Sequence, residues 1–160
     1  MIQSKQQLHE WLEAELPQYG PRHKNPFYAV TERAILRKHA ILLRKTEYHK
    51  NVRHRLRHLF YSFRLHRLQN RHALHIPLNV CGKGLKVMHL GPVLIHKDAR
   101  IGQNCTLHMN TSIVAHGRSG DAPVLGDGIV VGVGAVVLGG VTLADHIAIG
   151  ANAVVNRSFE

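Results

Sequence analysis

The chain has 160 residues, 44% of them hydrophobic, and its 21 Lys and Arg against 10 Asp and Glu give a formal net charge of +11. That length suits one domain or two small ones, with the composition of an ordinary folded protein. No apolar run approaches the roughly twenty residues that cross a bilayer, and MIQSKQQLHE lacks the apolar stretch of a signal peptide, which predicts a cytoplasmic chain with no membrane span.

The charge is unevenly placed. Met1 to His75 holds 15 Lys and Arg against 5 Asp and Glu, whereas Ile76 to Glu160 holds 6 against 5. The split predicts a basic α-helical domain over 1–75 and a second domain over 76–160. The first helix should start at Ser4, which forms a capping-box pattern with Gln7, and continue through Leu8, Trp11 and Leu12 at helical spacing. After the turn-rich PQYGPRHKNP, apolar residues recur at Ile35, Leu42 and Leu43, and again at Val52, Leu56, Leu59, Phe60 and Phe63, as in amphipathic helices. Their other face carries Arg53, Arg55, Arg57, Arg64, Arg67 and Arg71. Such a face suits nucleic acid, anionic lipid or a phosphorylated ligand. Neither zinc-finger spacing nor an RNA-binding aromatic motif accompanies it, which disfavours nucleic acid against an assembly role or another polyanion. Cys81 and Cys105 form no CxxC and no metal pattern, so both are expected to be reduced and partly buried.

From Ile95 onward an aliphatic residue returns every sixth position, at Ile101, Leu107, Ile113, Leu125, Val131, Val137, Leu143, Ile149 and Val155, with Ser119 as the one exception. A helix repeats every 3.6 residues and a strand every second, so neither explains this period. Each six-residue unit fits one flat side of a three-sided parallel β-helix, its aliphatic residue pointing to the axis. The next position is often small, as at Gly102, Gly126, Gly132, Ala144 and Gly150, and reads as a tight corner where bulk or an ordinary φ would be costly. The fifth position, as at Ala99, Cys105, Ala135 and Val141, should also face inward. Between Ile113 and Leu125, AHGRSGDAPV reads as a loop pushed out of the coil, and loops on a rigid scaffold are where function usually sits.

The run from Val87 to Phe159, with VMHLGPVLI, ARIGQNCTLHMNTSIVAHGRSG and APVLGDGIVVGVGAVVLGGVTLADHIAIGANAVV, resembles the hexapeptide-repeat acyltransferases. Within them it is most similar to the serine acetyltransferases and their relatives from polysaccharide clusters. Upstream, LRKTEYHKN and HIPLNVCGKGL look like the helical segment and lead-in strand of the same group. The resemblance implies a left-handed parallel β-helix preceded by an N-terminal α-helical domain. It also implies a homotrimer with sites in clefts between subunits, and helices that can pair trimers. The implied activity is an acetyl-CoA-dependent O-acetyl transfer to a small-molecule hydroxyl acceptor, with no metal.

Such a transfer needs a base near neutral pH, for which histidine is suited, and donors where charge develops on the thioester oxygen. Backbone amides at the glycine-rich corners are the expected donors. By the resemblance, His89 in HLGPVLI is the catalytic base, and His108 and His116 are acceptor-binding candidates. Gly117, Arg118 and Ser119 in HGRSGD would lie beside the cofactor, with Arg118 meeting a phosphate. Gly134 and Ala135 would line the pantetheine groove, and Asn152 and Arg157 follow on later coils. His96 and His146 read as surface residues.

The chain also departs from the pattern. Serine acetyltransferases place a carboxylate directly before the catalytic histidine and another on the lead-in strand, where this chain has Met88 and Leu74. Its loop is shorter and runs Asp121, Ala122, Pro123 in place of an Arg-His pair. The acceptor therefore stays open between L-serine and a sugar of a surface polysaccharide precursor. Two other readings remain: a γ-class carbonic anhydrase-like zinc protein using His89, His108 and His116, and a non-catalytic trimeric scaffold. The chain ends at NRSFE, so Val155 and Phe159 are expected at an open end that a partner covers or a longer sequence continues.

Overall fold

A computed structural model of the chain describes residues 1–21, 26–117 and 121–160. Arg118 and Ser119 of the predicted cofactor loop lie outside the described residues. The chain forms two compact units, Met1–Arg71 and His72–Glu160.

The first unit contains α1 (Lys5–Glu15), short 3-10 turns at Pro17–Tyr19 and Pro26–Val30, α2 (Glu32–Asn51) and α3 (Arg55–His72). α1 starts where the capping pattern put it, with Ser4 Oγ accepting the Gln7 amide at 3.0 Å. The return bond is displaced by one residue, because Gln7 Oε1 accepts the Gln3 amide at 2.8 Å. α2 ends in a Schellman arrangement: the His54 amide donates to the His49 carbonyl at 2.9 Å and the Arg53 amide to that of Lys50 at 3.2 Å. Its left-handed position is usually glycine, yet here Arg53 holds φ 58°. Beyond this turn α3 runs back along α2, since Tyr61 stacks on His49 with centroids 5.1 Å apart and Gln69 Nε2 lies 3.4 Å from His39 Nε2.

Arg44 is fully buried in this unit. Its Nε and Nη2 donate to Glu15 at 3.0 and 2.7 Å, its Nη1 to Glu47 at 2.9 Å, and its guanidinium lies 4.7 Å from the Trp11 ring centroid. Burial works against the charge, but Glu47 and Glu15 more than offset it and hold Arg44 above the ordinary arginine range. His39, Thr46 and Gln69 are buried as well. The apolar stripe read from the sequence, by contrast, faces outward: Leu56, Leu59, Phe60 and Phe63 are 85, 69, 55 and 67% exposed. The cause is a second stripe on the same helix. Leu65, Leu68 and Gln69 are buried, and Tyr61 and Gln69 are what meet α2, which turns the Leu56 stripe away.

The second unit consists of short parallel strands: β1 (Leu74–His75), β2 (Lys86–Val87), β3 (Val93–Ile95), β4 (Arg100–Ile101), β5 (Thr106–Leu107), β6 (Thr111–Val114), β7 (Val124–Leu125), β8 (Val130–Val131), β9 (Val136–Leu138), β10 (Thr142–Leu143), β11 (Ala148–Ile149) and β12 (Val154–Val155). Leu74 and His75, at the end of the stretch read as helical, already pair with β3. Three sheets result, ordered β1-β3-β6-β9-β12, β10-β7-β4 and β11-β8-β5-β2, which are the sides of a three-sided coil. Leu125 pairs with Leu143, Val131 with Ile149 and Val137 with Val155, each eighteen residues on. Across the loop the step is twenty-four, as in Ile101 with Leu125 and Ile113 with Val137. One whole six-residue unit has left the wall, and the phase is kept.

The axial aliphatics Leu107, Ile113, Val131 and Val137 are fully buried, as are the fifth-position residues Cys105, Ile129 and Ala135. Each large side chain so buried contributes about 1.5–3 kcal/mol. Both cysteines are buried and neither is in a disulfide, and burial pushes the Cys105 thiol up to about 12. Val155 is half-buried and Val154 and Phe159 are exposed, while Phe159 adds a single rung beside Leu143.

Of the two reasons expected for the small second position, bulk and φ, the structure supports bulk. Gly102 and Gly132 do not hold a left-handed φ; a β-carbon there would stand 2.5 Å from the Gly126 carbonyl oxygen and 2.7 Å from that of Ile149, respectively. The left-handed residues are at position four, where Asn104, Asn110, Gly128, Gly134, His146 and Asn152 hold φ between 55° and 71°. They alternate along each corner, so that the side chain of His146 covers Gly128 and that of Asn152 covers Gly134. At position three Asp127 accepts the Gln103 amide at 2.6 Å and Asp145 the Asp127 amide at 2.7 Å, which ties coil to coil.

These contacts rank two substitutions. Gly102→Ala pushes against backbone and is expected to cost about 3 kcal/mol or more, whereas Gly128→Ala meets only the movable His146 ring and should cost about 1–2 kcal/mol for its left-handed φ; urea midpoints of the two variants check the order. Arg53→Gly relieves a left-handed non-glycine residue and should stabilise the chain by about 1 kcal/mol, read as a higher melting temperature.

Candidate active site

The coil distributes the sequence-predicted site residues over two corners. One lies between the β2-β5-β8-β11 sheet and the β3-β6-β9-β12 sheet. There the Met88 amide donates to the Leu107 carbonyl at 2.9 Å, the His108 amide to that of Val131 at 3.1 Å and the Gly132 amide to that of Ile149 at 2.9 Å. Met88, His108 and Gly132 are thus equivalent positions on successive coils, and His89 is one residue further on. His89 is exposed in the bend that leads into β3, and His108 is half-buried one coil along, its carbonyl accepting Thr111 Oγ1 at 2.9 Å. Gly134 and Asn152 continue the same corner. From His89 to Asn152 is three coil spacings, about 14 Å at the usual distance between strands.

The other corner follows the long strands β3, β6, β9 and β12. His116 stands where the loop leaves β6, and a β-carbon on Gly139 would lie 3.2 Å from its Cβ. Asp121, on the returning limb of the loop, sits over Gly140 in the same way, 2.6 Å from its Cβ. His116, Leu138, Gly139, Asn156, Arg157 and Ser158 line a cavity of about 440 Å³, so His116 and Arg157 come together. Gly117 is exposed with φ 41°, and nothing stands within 4 Å of where its β-carbon would be. Arg157 also lies 5.3 Å from the Phe159 ring centroid.

At Gly134 and Ala135, read as lining the pantetheine groove, the backbone groups are already engaged within the coil. The Gly134 amide donates to Met109 at 3.1 Å and the Ala135 amide to Gly132 at 3.1 Å, while the Ala135 carbonyl accepts from Ser112 at 3.0 Å. Ala135 is also fully buried, so of the two only half-buried Gly134 presents surface at this corner. The Gly139–Gly140 pair, with Gly139 at φ 86°, was not singled out in the sequence although it floors the second cavity. Its signal was a double glycine eighteen residues before Arg157 and Ser158. Among the described residues, no three His, Cys, Asp or Glu side chains come close enough to hold a metal ion, and His89, His108 and His116 are not one trio in a single chain. His96 is half-buried and His146 exposed at a corner.

No family model matches the chain. It is 38% identical over 76 residues to the serine acetyltransferase of Helicobacter pylori, a match covering 46% of this chain and 44% of that protein. The chain therefore aligns with less than half the length of this curated relative. In fold it matches serine acetyltransferase isoform 3 of Entamoeba histolytica, solved in complex with cysteine, with a TM-score of 0.69 at 17% identity over 95% of this chain and 55% of that one. It also matches the Brucella abortus serine acetyltransferase solved with coenzyme A, with a TM-score of 0.61 at 19% identity over 94% of this chain and 60% of that one. The chain thus has the fold of the serine acetyltransferases, a left-handed parallel β-helix preceded by a helical region, and is similar to them in sequence over about half its length.

Proposed function

We propose that the chain is an O-acetyltransferase that takes the acetyl group of acetyl-CoA to a hydroxyl acceptor, with His89 as base. The observation that carries this reading is the corner on which exposed His89 and half-buried His108 occupy successive coils, followed by Gly134 and Asn152. A line of about 14 Å suits an extended substrate such as acetyl-CoA, laid along the corner with its thioester near His89. Acetyl-CoA supplies an activated acyl carbon. The His89 imidazole accepts the acceptor's hydroxyl proton as that oxygen bonds to the acyl carbon; the carbon–sulfur bond breaks, and the proton passes to the departing thiolate. His108 would hold the acceptor against His89.

The second corner belongs to the same reading through self-association. His116 and Arg157 stand across the β3-β6-β9-β12 sheet from His89, about 10 Å for three residues, and lie one and three coils further along the axis. A neighbouring copy that laid its second corner beside the first corner of this one would assemble His89, His108, His116 and Arg157 around one cleft. A homotrimer satisfies this arrangement with three identical contacts. L-serine is the acceptor favoured by the relatives' name; a sugar hydroxyl is the second option, favoured by Met88 in place of the carboxylate that would meet a free amine.

Release of free thiol from acetyl-CoA, measured against L-serine and a panel of sugars, tests the activity. One acceptor should support turnover, and His89→Ala should reduce kcat by about 10²–10⁴-fold with an unchanged melting temperature. Absence of thiol release with every acceptor would favour the scaffold reading. For the shared cleft, His89→Ala chains coexpressed with His116→Ala chains are expected to recover more activity than either variant alone. Failure to do so would place both histidines in one chain's site.

A further inference from the structure

We propose that α3 docks the chain onto an anionic lipid surface, its Leu56, Leu59, Phe60 and Phe63 entering the acyl boundary while arginines beside them meet the headgroup phosphates. The four residues stand at i, i+3, i+4 and i+7, one stripe of a helix turning 100° per residue, roughly opposite the buried Leu65 and Leu68. All four are more than half exposed. This unit buries Arg44, Glu47, His39 and Gln69 while leaving two phenylalanines and two leucines outside, the reverse of what water alone selects.

Charge chooses the occupant. The sequence has no Asp or Glu between Glu47 and Asp98, so α3 is a helix without a single acidic residue. On the helical wheel Arg55 borders the stripe on one side, Arg57 and Arg64 border it on the other, and Arg67 extends it by a turn; all four are exposed. The Arg64 guanidinium lies over the Phe60 ring, 5.3 Å from its centroid. At the start of the helix a cavity of about 320 Å³ is lined by His49, Lys50, Arg53, Arg55 and His58, all of them cationic or able to become so. Burial and, after it, the neighbouring His54, Arg57, Lys45 and His58 hold His49 below the ordinary histidine range. An apolar centre bordered by arginines fits an interfacial helix. A second copy of α3 would set arginine against arginine, and nucleic acid offers no apolar layer for Leu56 and Leu59.

Cosedimentation of the full chain with vesicles tests the proposal, independently of any acetyl transfer. Phosphatidylcholine vesicles containing phosphatidylserine should bind the chain about tenfold or more tightly than phosphatidylcholine alone, since each interfacial arginine is worth about fivefold. Phe60→Ser with Phe63→Ser, and separately Arg57→Gln with Arg64→Gln, should each weaken binding about tenfold or more. These side chains point outward, so circular dichroism melting should be unchanged and the loss attributable to the surface. Equal binding to both vesicle types, or full binding by the Phe60→Ser, Phe63→Ser chain, would overturn the proposal. So would tighter binding to a single-stranded oligonucleotide than to the charged vesicles, or a smaller oligomer for the serine variant in vesicle-free solution, which would give the stripe to nucleic acid or to a second copy.

Discussion

Successive turns of the β-helix come so close at their corners that backbone lies against backbone, and this approach governs both what the coil tolerates and what it can offer a ligand. At Gly102, Gly126 and Gly132 the place of a β-carbon is already occupied by main-chain atoms of the next coil. One residue further along each unit the demand changes from space to hydrogen bonding, and Asp127 and Asp145 meet it by accepting amides of the preceding coil. At the fourth position it becomes conformational, and glycine alternates with asparagine or histidine because a side chain on one coil needs a bare backbone beside it.

The same closeness uses up the main-chain donors. Amides at Gly102, Gly126, Gly132 and Gly134 all bond to carbonyls of a neighbouring coil, so these four are committed to the wall. Chemistry has to come from side chains that project at the corners, as His89, His108 and His116 do, or from chain that has left the wall. Chain can leave only in whole six-residue units if the aliphatic phase is to survive. The step of twenty-four residues across the loop obeys that rule, which lets a loop be inserted without disturbing the axis.

What the sequence made legible follows the strength of each constraint. The axial period was readable because every unit repeats the same demand, and Leu107, Ile113, Val131 and Val137 are buried as the period requires. The small second position was legible but its cause stayed divided between bulk and φ, since a glycine needed for closeness and one needed for φ look alike in sequence. Gly139 and Gly140 were passed over for a related cause: only the folded register sets them beside His116 and Asp121. In α3 the pattern named an apolar face but not its direction. Leu56 through Phe63 and Leu65 with Leu68 are both credible stripes, and the contacts of Tyr61 and Gln69 with α2 decide between them. No single-residue signal in the sequence weighs two stripes against each other.

The helical unit resolves its charge in two opposite ways, and the contrast explains its surface. Arg44 is surrounded by two carboxylates and an aromatic ring, so its field is spent within the core. With Glu15 and Glu47 committed there, the acids this unit can still set against its cations lie on α1 and at the start of α2, at Glu10, Glu13 and Glu32. The α2–α3 turn and all of α3 then carry arginine and histidine with no acidic residue among them. A sequence that spends two of its five N-terminal carboxylates on one buried arginine necessarily leaves that end electropositive, and an outward apolar stripe in the middle of it makes the unit amphipathic on the side that faces away from its own core.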